Sequence, residues 1–279
     1  MLSIVLQLIK KKSYCAHLAI PENSIGQRTC SAYCGGMNAF GRWQHWLARR
    51  AVRRNFAAVY CHGLENISGI PLGTPVILAP IHTGWWDGFF CSCLLPRLPG
   101  RRFFLAQHAQ HLGRYPWFRH AGVIGLDARG AGRLRAGLRQ LESCLCTPGA
   151  LLVYFPQGRL TIQDADPIEA RRGLGFFAGA AGSLLVPLVW RHGLRDGPKP
   201  ELWMRIGEPI RVSGLPANKA WNAAMATLES DLRRDWNNSQ LTHYQALSKQ
   251  KPAIHAKWVN WSKRWLGRAD PVENGGDSA

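Results

Sequence analysis

The sequence lacks the long apolar segments that carry a chain through a lipid bilayer. No purely apolar run of about 18 residues occurs along its 279 residues, whereas a membrane-spanning helix needs about 20. The first residues, MLSIVLQLIKKK, place an apolar stretch before a basic triplet, the reverse of the order in a signal peptide. The sequence therefore predicts no membrane-spanning helix. The first stretch either dips into a membrane or lies before the native start, for which Met37 is a candidate.

Acidic residues are scarce, which points to an anionic partner. There are 17 acidic against 35 basic residues, and the formal net charge is +18. Such an excess is typical of proteins that bind nucleic acid, an anionic membrane surface or a phosphorylated ligand. The twelve Trp residues favour the membrane, because Trp with Arg and Lys is enriched at the membrane–water interface. Two segments show this pattern, a basic helix predicted over 38–56 and a Trp-rich amphipathic helix predicted over 250–268.

Paired cysteine motifs are also absent. None of the eight Cys residues forms a C-x-x-C pair, and no zinc-ribbon spacing occurs. We therefore expect reduced, mostly structural thiols in a cytosolic compartment. His108, His111 and His120 lie close in the sequence but have no carboxylate or thiolate partners to complete a ligand set. The sequence predicts neither a metal site nor a cofactor.

Short apolar runs alternate with segments of helical spacing through the middle of the chain. Strands are predicted at 75–80, 103–106, 122–127, 150–155, 184–190 and 202–206. Helices are predicted at 38–56, 85–95, 132–146, 173–182 and 216–237. This alternation predicts an α/β domain over 38–240 with a helix-flanked, mainly parallel central sheet. Residues 1–37 show little pattern, and 269–279 are predicted to be a disordered acidic tail.

The segment IHTGWWDG, which follows a predicted strand and opens a predicted helix, is the sharpest local feature. Four residues separate His82 from Asp87, and a junction of that length lets the carboxylate fold back towards the imidazole. Asp87 would then accept from one ring nitrogen, fix the tautomer and stabilise the imidazolium. The other nitrogen remains able to take a proton from a substrate hydroxyl. The pattern predicts a general base for a hydroxyl that attacks an activated acyl group directly.

Two further segments place arginines at the ends of predicted strands. In FPQGR, Gly158 lets the backbone approach a ligand closely, and Arg159 is able to bind phosphate or carboxylate with two N–H groups. In GLDAR, Arg129 is another candidate anion ligand. Taken alone, FPQGR is better explained as a tight turn with an exposed arginine.

Four segments in this order resemble the blocks of the lysophospholipid acyltransferases, the 1-acylglycerol-3-phosphate acyltransferase superfamily. The blocks fall on His82–Asp87, Gly122–Arg129, Phe155–Gly158 and Val186–Pro187. The resemblance covers about residues 70 to 215 and implies the family's α/β fold. It implies that His82 is the general base and that Asp87 orients it. It also implies that basic residues of the second and third blocks hold the acceptor's phosphate. The expected substrate-binding residues are Arg129, Gln157, Gly158 and Arg159.

The resemblance also implies the reaction and its partners. A fatty acyl group would pass from an acyl thioester, acyl-CoA or acyl-ACP, to a hydroxyl of a lipid acceptor such as a lysophospholipid. Backbone donors of the active-site loops would stabilise the oxyanion. We expect a peripheral enzyme on the anionic, cytoplasmic face of the cell membrane, with no nucleic acid partner.

Three departures from the family pattern affect blocks that the family uses for the acceptor. Gln157 replaces the usual Glu, Arg159 comes one position early, and Ala128 separates Asp127 from Arg129. The Lys-x-Glu-Leu stretch usual before the second block is also missing around 107–111. The sequence therefore supports acyl transfer from a thioester to a hydroxyl more firmly than any one acceptor. A glycolipid or an isoprenoid pigment stays open as the acceptor.

Two other classes of protein compete with this interpretation. A basic nucleic-acid-binding module fits the charge, but the basic residues are spread along the chain and no helix-turn-helix, RRM or OB pattern is present. A hydrolase of the α/β class would need a Gly-x-Ser-x-Gly turn, which the sequence lacks. We keep the nucleic-acid-binding module as the alternative from another class.

Overall fold

Nine strands form one sheet in the computed structural model, which describes residues 38–164, 168–195, 197–212 and 217–250. Within these ranges the strands are β1 Ala58–His62, β2 Val76–Pro80, β3 Arg102–His108, β4 Val123–Leu126, β5 Ala150–Val153, β6 Leu184–Gly193, β7 Glu201–Ile206, β8 Ile210–Arg211 and β9 Gln245–Lys249. The helices are α1 Ala39–Asn55, α2 Glu65–Ser68, α3 Asp87–Leu94, α4 Ala109–Arg114, α5 Ala131–Leu145 and α6 Ala217–Asn237. Short 3-10 helices cover Leu95–Arg97, Pro116–Ala121, Arg172–Phe176 and Ala180–Gly182.

The order of strands across the sheet is β4-β3-β5-β2-β6-β7-β1-β9, and β8 pairs with β6. The five strands from β4 to β6 are parallel to one another, and β1 is parallel to β7. The β6–β7, β6–β8 and β1–β9 pairs are antiparallel. Since parallel pairs predominate, the predicted helix-flanked, mainly parallel sheet of an α/β fold is confirmed.

The central strands are apolar along their whole length because helices and loops cover both faces of a parallel sheet. Every residue of β2 and of β5 is buried. Trp190, Trp203 and Trp221 are fully buried. The indole Nε1 of Trp221 in α6 donates to the carbonyl of Ala79 in β2, with N and O 2.9 Å apart. This bond satisfies the polar atom of a buried Trp and joins α6 to the strand that precedes His82.

Pro187 lies inside β6, where its missing N–H would normally break a ladder of hydrogen bonds. On one side of β6, β8 pairs only as far as Leu185, and β7 begins to pair at Leu188. Pro187 falls between these two pairings, and its carbonyl accepts from the Gly207 N–H at 2.9 Å. The change of partner strand therefore accommodates the proline of the predicted Val186–Pro187 block.

Sequence reasoning and structure differ in several elements. The sequence did not predict the strands β1, β8 and β9 or the short helices α2 and α4. Strand β9 pairs with β1, so the sheet continues past residue 240. The helix predicted over 173–182 is wrong, because this segment forms two 3-10 turns. Positive φ angles at Gly179, Ala181 and Gly182 interrupt a regular helix there. The segments predicted for 1–37, for the Trp-rich helix beyond Gln250 and for the tail lie outside the described residues.

Helix α1 presents aromatic side chains to solvent. Asn38 caps its start, as its side-chain oxygen accepts from the Gly41 N–H at 2.8 Å. Phe40, Trp43 and Trp46 are each more than 40% exposed. Arg50 lies over the Trp46 ring at 5.5 Å. Among the described residues, no helix has both the length and the apolar character needed to cross a membrane.

The five described cysteines are free thiols, as expected for structural cysteines. Cys61, Cys91, Cys93 and Cys144 are buried, and Cys146 is exposed. Burial raises the pKa of the Cys61 thiol to about 12. A buried, protonated thiol packs as a small apolar group.

Candidate active site

The first and third blocks leave the sheet at the same edge. His82 follows β2 and Phe155 follows β5, and these strands are parallel neighbours with Leu78 opposite Val153. The imidazole of His82 therefore stacks on the Phe155 ring, with centroids 4.3 Å apart and planes 28° apart. In open α/β sheets, ligands bind outside the carboxyl ends of the strands, which is the edge where His82 lies.

His82 and Asp87 are in direct contact. Nδ1 of His82 and Oδ2 of Asp87 are 2.6 Å apart. Asp87 is the first residue of α3 and is only 1% exposed. Its Oδ2 also accepts from the backbone N–H groups of Thr83 at 2.7 Å and Gly84 at 3.0 Å. Three donors thus hold this buried carboxyl group in one orientation.

The second ring nitrogen of His82 faces a more open environment. The His82 side chain is 26% exposed. Its Nε2 has no hydrogen-bond partner in the part of the chain that the structure describes. With Nδ1 bonded to Asp87 and one ring face on Phe155, the imidazole is fixed while Nε2 stays accessible. This is the arrangement that a general base for an external hydroxyl requires.

The backbone of His82 is held on both sides by the segment after β5. Oε1 of Gln157 accepts from the His82 N–H at 2.6 Å, and Nε2 of Gln157 donates to Oγ1 of Thr161 at 2.9 Å. The Thr161 N–H donates to the His82 carbonyl at 2.9 Å. Gln157 is 3% exposed. Both polar ends of the Gln157 amide are therefore bonded within the protein.

Gly158 and Arg159 form the exposed side of the same turn. Gly158 has φ +61°, in the left-handed region where glycine is favoured, and its N–H donates to the Phe155 carbonyl at 3.1 Å. A Cβ at this position would lie 3.1 Å from Cδ of Arg171, so the Arg171 side chain runs along the turn. Arg159 is exposed and has no ion-pair partner among the described residues. The turn therefore carries the exposed Arg159, with the side chain of Arg171 alongside it.

Arg129 lies farther from His82 than the other predicted site residues. It follows β4, which is three strands from β2 in the sheet, a separation of about 14 Å at the usual strand spacing. Its Nε and Nη2 donate to the two carboxylate oxygens of Asp127 at 2.9 and 2.8 Å. These bonds lower the pKa of Asp127. The structure thus does not bring Arg129 beside the His82–Asp87 pair.

Two structural supports of the site were missed by the sequence reasoning. Nε1 of the buried Trp190 donates to Oγ1 of Thr83 at 2.9 Å, which fixes the loop between His82 and Asp87. Thr161 binds the His82 carbonyl, as described above. Neither residue belongs to a charged or glycine-containing pattern, so sequence spacing carried no signal for them.

Exposed apolar side chains border this edge. Trp85, Leu160 and Ile162 are 62%, 58% and 78% exposed. Trp85 lies between His82 and Asp87 in the chain, whereas Leu160 and Ile162 flank Thr161. We name these three residues the apolar rim. Trp86, by contrast, packs against the core, with its ring 5.4 Å from Phe56.

The three clustered histidines do not come together around one point. The His108 and His111 rings lie 6.4 Å apart, and Nδ1 of His120 is within hydrogen-bond distance of the Asn38 side chain. Over the described ranges, no group of three or more His, Cys, Asp or Glu side chains is placed to share a metal ion.

A family model matches the part of the chain that carries the site. Residues 58–191 match the family model described as Acyltransferase. This range begins at β1, ends within β6 and includes all four blocks. The match agrees with the resemblance drawn from the sequence.

Solved structures also match this chain. One is the crystal structure of the 1-acyl-sn-glycerophosphate (LPA) acyltransferase PlsC from Thermotoga maritima. It is 17% identical, with a TM-score of 0.46, over 70% of this chain and 79% of that chain. No curated protein matches the sequence.

Proposed function

We propose that this protein transfers a fatty acyl group from an acyl thioester, acyl-CoA or acyl-ACP, to a hydroxyl of a lipid acceptor such as a lysophospholipid. The match of residues 58–191 to the Acyltransferase family model supports this type of reaction. The observation that carries the proposal is the 2.6 Å contact between His82 and the buried Asp87, which leaves Nε2 accessible. This pair supplies a general base without a Ser or Cys nucleophile.

In the proposed mechanism, His82 moves one proton between the two substrates. Asp87 accepts from Nδ1–H, so the lone pair of Nε2 takes the proton of the acceptor hydroxyl as its oxygen attacks the thioester carbonyl carbon. The new C–O bond gives a tetrahedral oxyanion. Collapse of this intermediate breaks the C–S bond, and the leaving thiolate takes the proton from Nε2. The products are the ester and the free thiol, and His82 returns to its neutral form.

The backbone N–H groups nearest the His82–Asp87 pair are not free to stabilise the oxyanion. The N–H groups of Thr83 and Gly84 both point at Asp87 Oδ2 and are already used. We assign the oxyanion to other backbone N–H groups of the loops at this edge. Gln157 and Thr161 act as positioning residues, because they hold the backbone and not the imidazole of His82.

Arg159 is our candidate for binding the acceptor's phosphate. It extends from the glycine turn beside His82, and its guanidinium is exposed and fits a phosphate with two N–H groups. Arg171 lies along the same turn and adds a second positive charge. Arg129 would have to leave Asp127 to bind a ligand and lies three strands away, so we give it a lesser role.

The proposed place of action is the anionic, cytoplasmic face of the cell membrane, where the enzyme is peripheral. The apolar rim borders the edge that carries His82, and α1 exposes Phe40, Trp43 and Trp46 beside arginines. Aromatic side chains next to basic ones suit the membrane–water interface. A lipid acceptor in that interface would place its hydroxyl beside His82 while part of the lipid stays in the bilayer.

A glycolipid or an isoprenoid pigment remains the alternative acceptor. The replacement of the family's Glu by Gln157 no longer supports this alternative, because Gln157 is buried and bonded to His82 and Thr161. The early position of Arg159 and the inserted Ala128 still support an alternative acceptor, because they change the positions of the positively charged side chains relative to the family pattern. A panel of lysophospholipid, glycolipid and carotenoid acceptors distinguishes these cases by the mass of the acylated product.

The decisive variant is His82→Ala, with His111→Ala as the matched control. His111 is exposed and lies on α4, which follows β3, two strands away from β2 in the sheet. Loss of the general base should lower kcat by about 100- to 10,000-fold, while the control keeps wild-type activity. Ester formation is followed by mass spectrometry and thiol release by a colorimetric thiol reagent. Full activity of a folded His82→Ala protein would disprove the mechanism, and equal thiol release with and without acceptor would indicate a hydrolase.

A further inference from the structure

A cleft of about 340 Å³ lies away from the His82 loop, between α1, the 3-10 turn after α3, and β9. Three arginines line it, Arg49 and Arg53 from α1 and Arg97 from the 3-10 turn. Its remaining lining includes Cys93 and Leu247. We name it the arginine cleft, and neither the proposed catalytic pair nor the acceptor turn uses it.

The positive charges of the cleft have no acidic neighbour. Arg49 and Arg53 lie one turn apart on α1, which contains no acidic residue. Within the described ranges, no carboxylate forms an ion pair with Arg49, Arg53 or Arg97. Burial, and to a lesser extent the charge of Arg53, lower the pKa of Arg49. Arg49 is half-buried, whereas Arg53 and Arg97 are exposed. Like charges that line one cleft repel each other unless an anion lies between them.

The protein itself supplies little compensation. Cys93 faces both arginines, but burial raises the pKa of its thiol to about 12, so it stays neutral near pH 7. The carbonyl end of α1 carries about half an elementary negative charge, which offsets less than one of the three guanidinium groups. The cleft therefore keeps a net positive charge of about 2.5 in a concave setting, and concave sites lined by charges of one sign concentrate ions of the opposite sign.

We propose that the arginine cleft is a phosphate-binding site, separate from the His82–Asp87 pair. Guanidinium groups bind phosphate oxygens with paired N–H donors, and three of them suit a ligand with more than one phosphate charge. Phosphates of this kind come from two sources, the nucleotide part of a coenzyme A donor or the headgroup of an acidic phospholipid.

The suggestion that the phosphates belong to the coenzyme A donor rests on the proposed acyltransferase function. The suggestion that the cleft binds phosphate does not. Cys93, at the cleft, is six residues beyond Asp87 in α3, a rise of about 9 Å along the helix. A donor whose thioester and phosphates lie at opposite ends of an extended arm is able to span such a separation. The phospholipid source would instead make the cleft a second contact with the membrane surface.

The test uses Arg49→Gln/Arg53→Gln in the full-length protein. The matched control is Arg135→Gln/Arg139→Gln, which removes two exposed arginines one turn apart on α5 and so changes the net charge equally. One arm titrates adenosine 3′,5′-bisphosphate into each protein by calorimetry. The other arm measures sedimentation with phosphatidylcholine vesicles containing phosphatidic acid. Thermal unfolding verifies that each protein is folded. If the double variant is unfolded, the single variant Arg97→Gln, at an exposed position, takes its place.

We expect the cleft variant to bind one of the two probes at least about tenfold more weakly than the control, because each charge-assisted hydrogen bond lost contributes roughly that factor. Loss in the nucleotide arm alone identifies the donor as the source. Loss in the vesicle arm alone identifies the headgroup. Affinities equal to those of the control in both arms overturn the proposal. His82→Ala should keep wild-type binding in both arms, so failure of the catalytic mechanism and failure of this site are separate results.

Discussion

The side-chain amide of Gln157 holds His82 by its backbone: Oε1 lies 2.6 Å from the His82 nitrogen, while Nε2 donates to Thr161. Thr161 in turn donates to the carbonyl of His82. The residue that bears the imidazole is thus fixed at both of its peptide groups by one short segment. In the proposed mechanism, a small displacement of this segment would move Nε2 away from the acceptor hydroxyl, and such displacements lower catalytic rates strongly.

Gln157→Leu should therefore lower kcat and stability together. The substitution leaves the buried His82 N–H without its acceptor, at a cost of about 1–3 kcal/mol. We expect kcat to fall by at least about tenfold, with a lower midpoint of thermal unfolding. Gln157→Glu, which keeps an oxygen facing His82, should retain more activity than Gln157→Leu. Gln110→Leu, at an exposed position, is the control, and wild-type kcat in Gln157→Leu would refute the positioning role.

Gly122→Ala should be strongly destabilising. Gly122 has φ +82°, and an added Cβ would lie 2.2 Å from the carbonyl oxygen of Phe103. Backbone strain and overlap together cost about 3 kcal/mol or more. The control is Gly132→Ala in α5, where the added methyl would have no atom within 4 Å and should raise the free energy of unfolding by up to about 1 kcal/mol. Urea denaturation measures both, and similar values for the two variants would contradict the geometry.

Arg159→Gln should affect the acceptor more than the chemistry. Its guanidinium is exposed beside the glycine turn, so its loss removes a charged contact to the acceptor's phosphate. We expect KM for a lysophospholipid to rise by about tenfold with kcat nearly unchanged. An acceptor without phosphate should show no such change. Arg135→Gln on the exposed side of α5 provides the charge-matched control, and an unchanged KM in Arg159→Gln would remove Arg159 from the acceptor site.

Stability should fall in mild acid because of His45. Burial lowers the pKa of His45 to about 4, and the ring bonds to Ser92 and to the Ala121 carbonyl. Unfolded histidine titrates near 6.5, so between about pH 6.5 and 4 the unfolded state binds more protons than the folded state. As the pH falls through this range, the free energy of unfolding should therefore decrease by about 1.4 kcal/mol per pH unit. Below about pH 4, His45 should cause no further decrease.

The measurement compares urea denaturation of three proteins between about pH 7 and 5. His45→Gln should lose part of the slope, because the buried titrating group is gone. His111→Gln, at an exposed position, should follow the wild type. Parallel slopes for the wild type and His45→Gln would show that other groups cause the acid sensitivity.

The sequence predicted the elements whose patterns are local. Strands β2 and β5 are continuous apolar runs, and the helices α1 and α6 have clear periodicity. Strand β9 was not predicted because it is a mostly polar edge strand that forms only by pairing with β1. The helix expected at 173–182 failed because its glycines adopt left-handed angles that only the surrounding chain determines.

The site was predictable to a similar extent. The contact between His82 and Asp87 follows from a strand end, a short loop and a helix start, all visible in the sequence. The inward direction of Gln157 was not visible, since an amide in a turn faces solvent or backbone according to its tertiary neighbours. The same holds for Arg129, whose distance from His82 is set by the order of strands in the sheet.

The segment after β5 also separates two kinds of side chain. Gln157 and Thr161 point inward and bind His82, whereas Arg159, Leu160 and Ile162 point outward and are exposed. Substitutions at the outward positions change what the edge offers to a ligand but leave the bonds to His82 in place. Under the proposed function, substitutions at the outward positions would change acceptor preference without altering the geometry of proton transfer at His82.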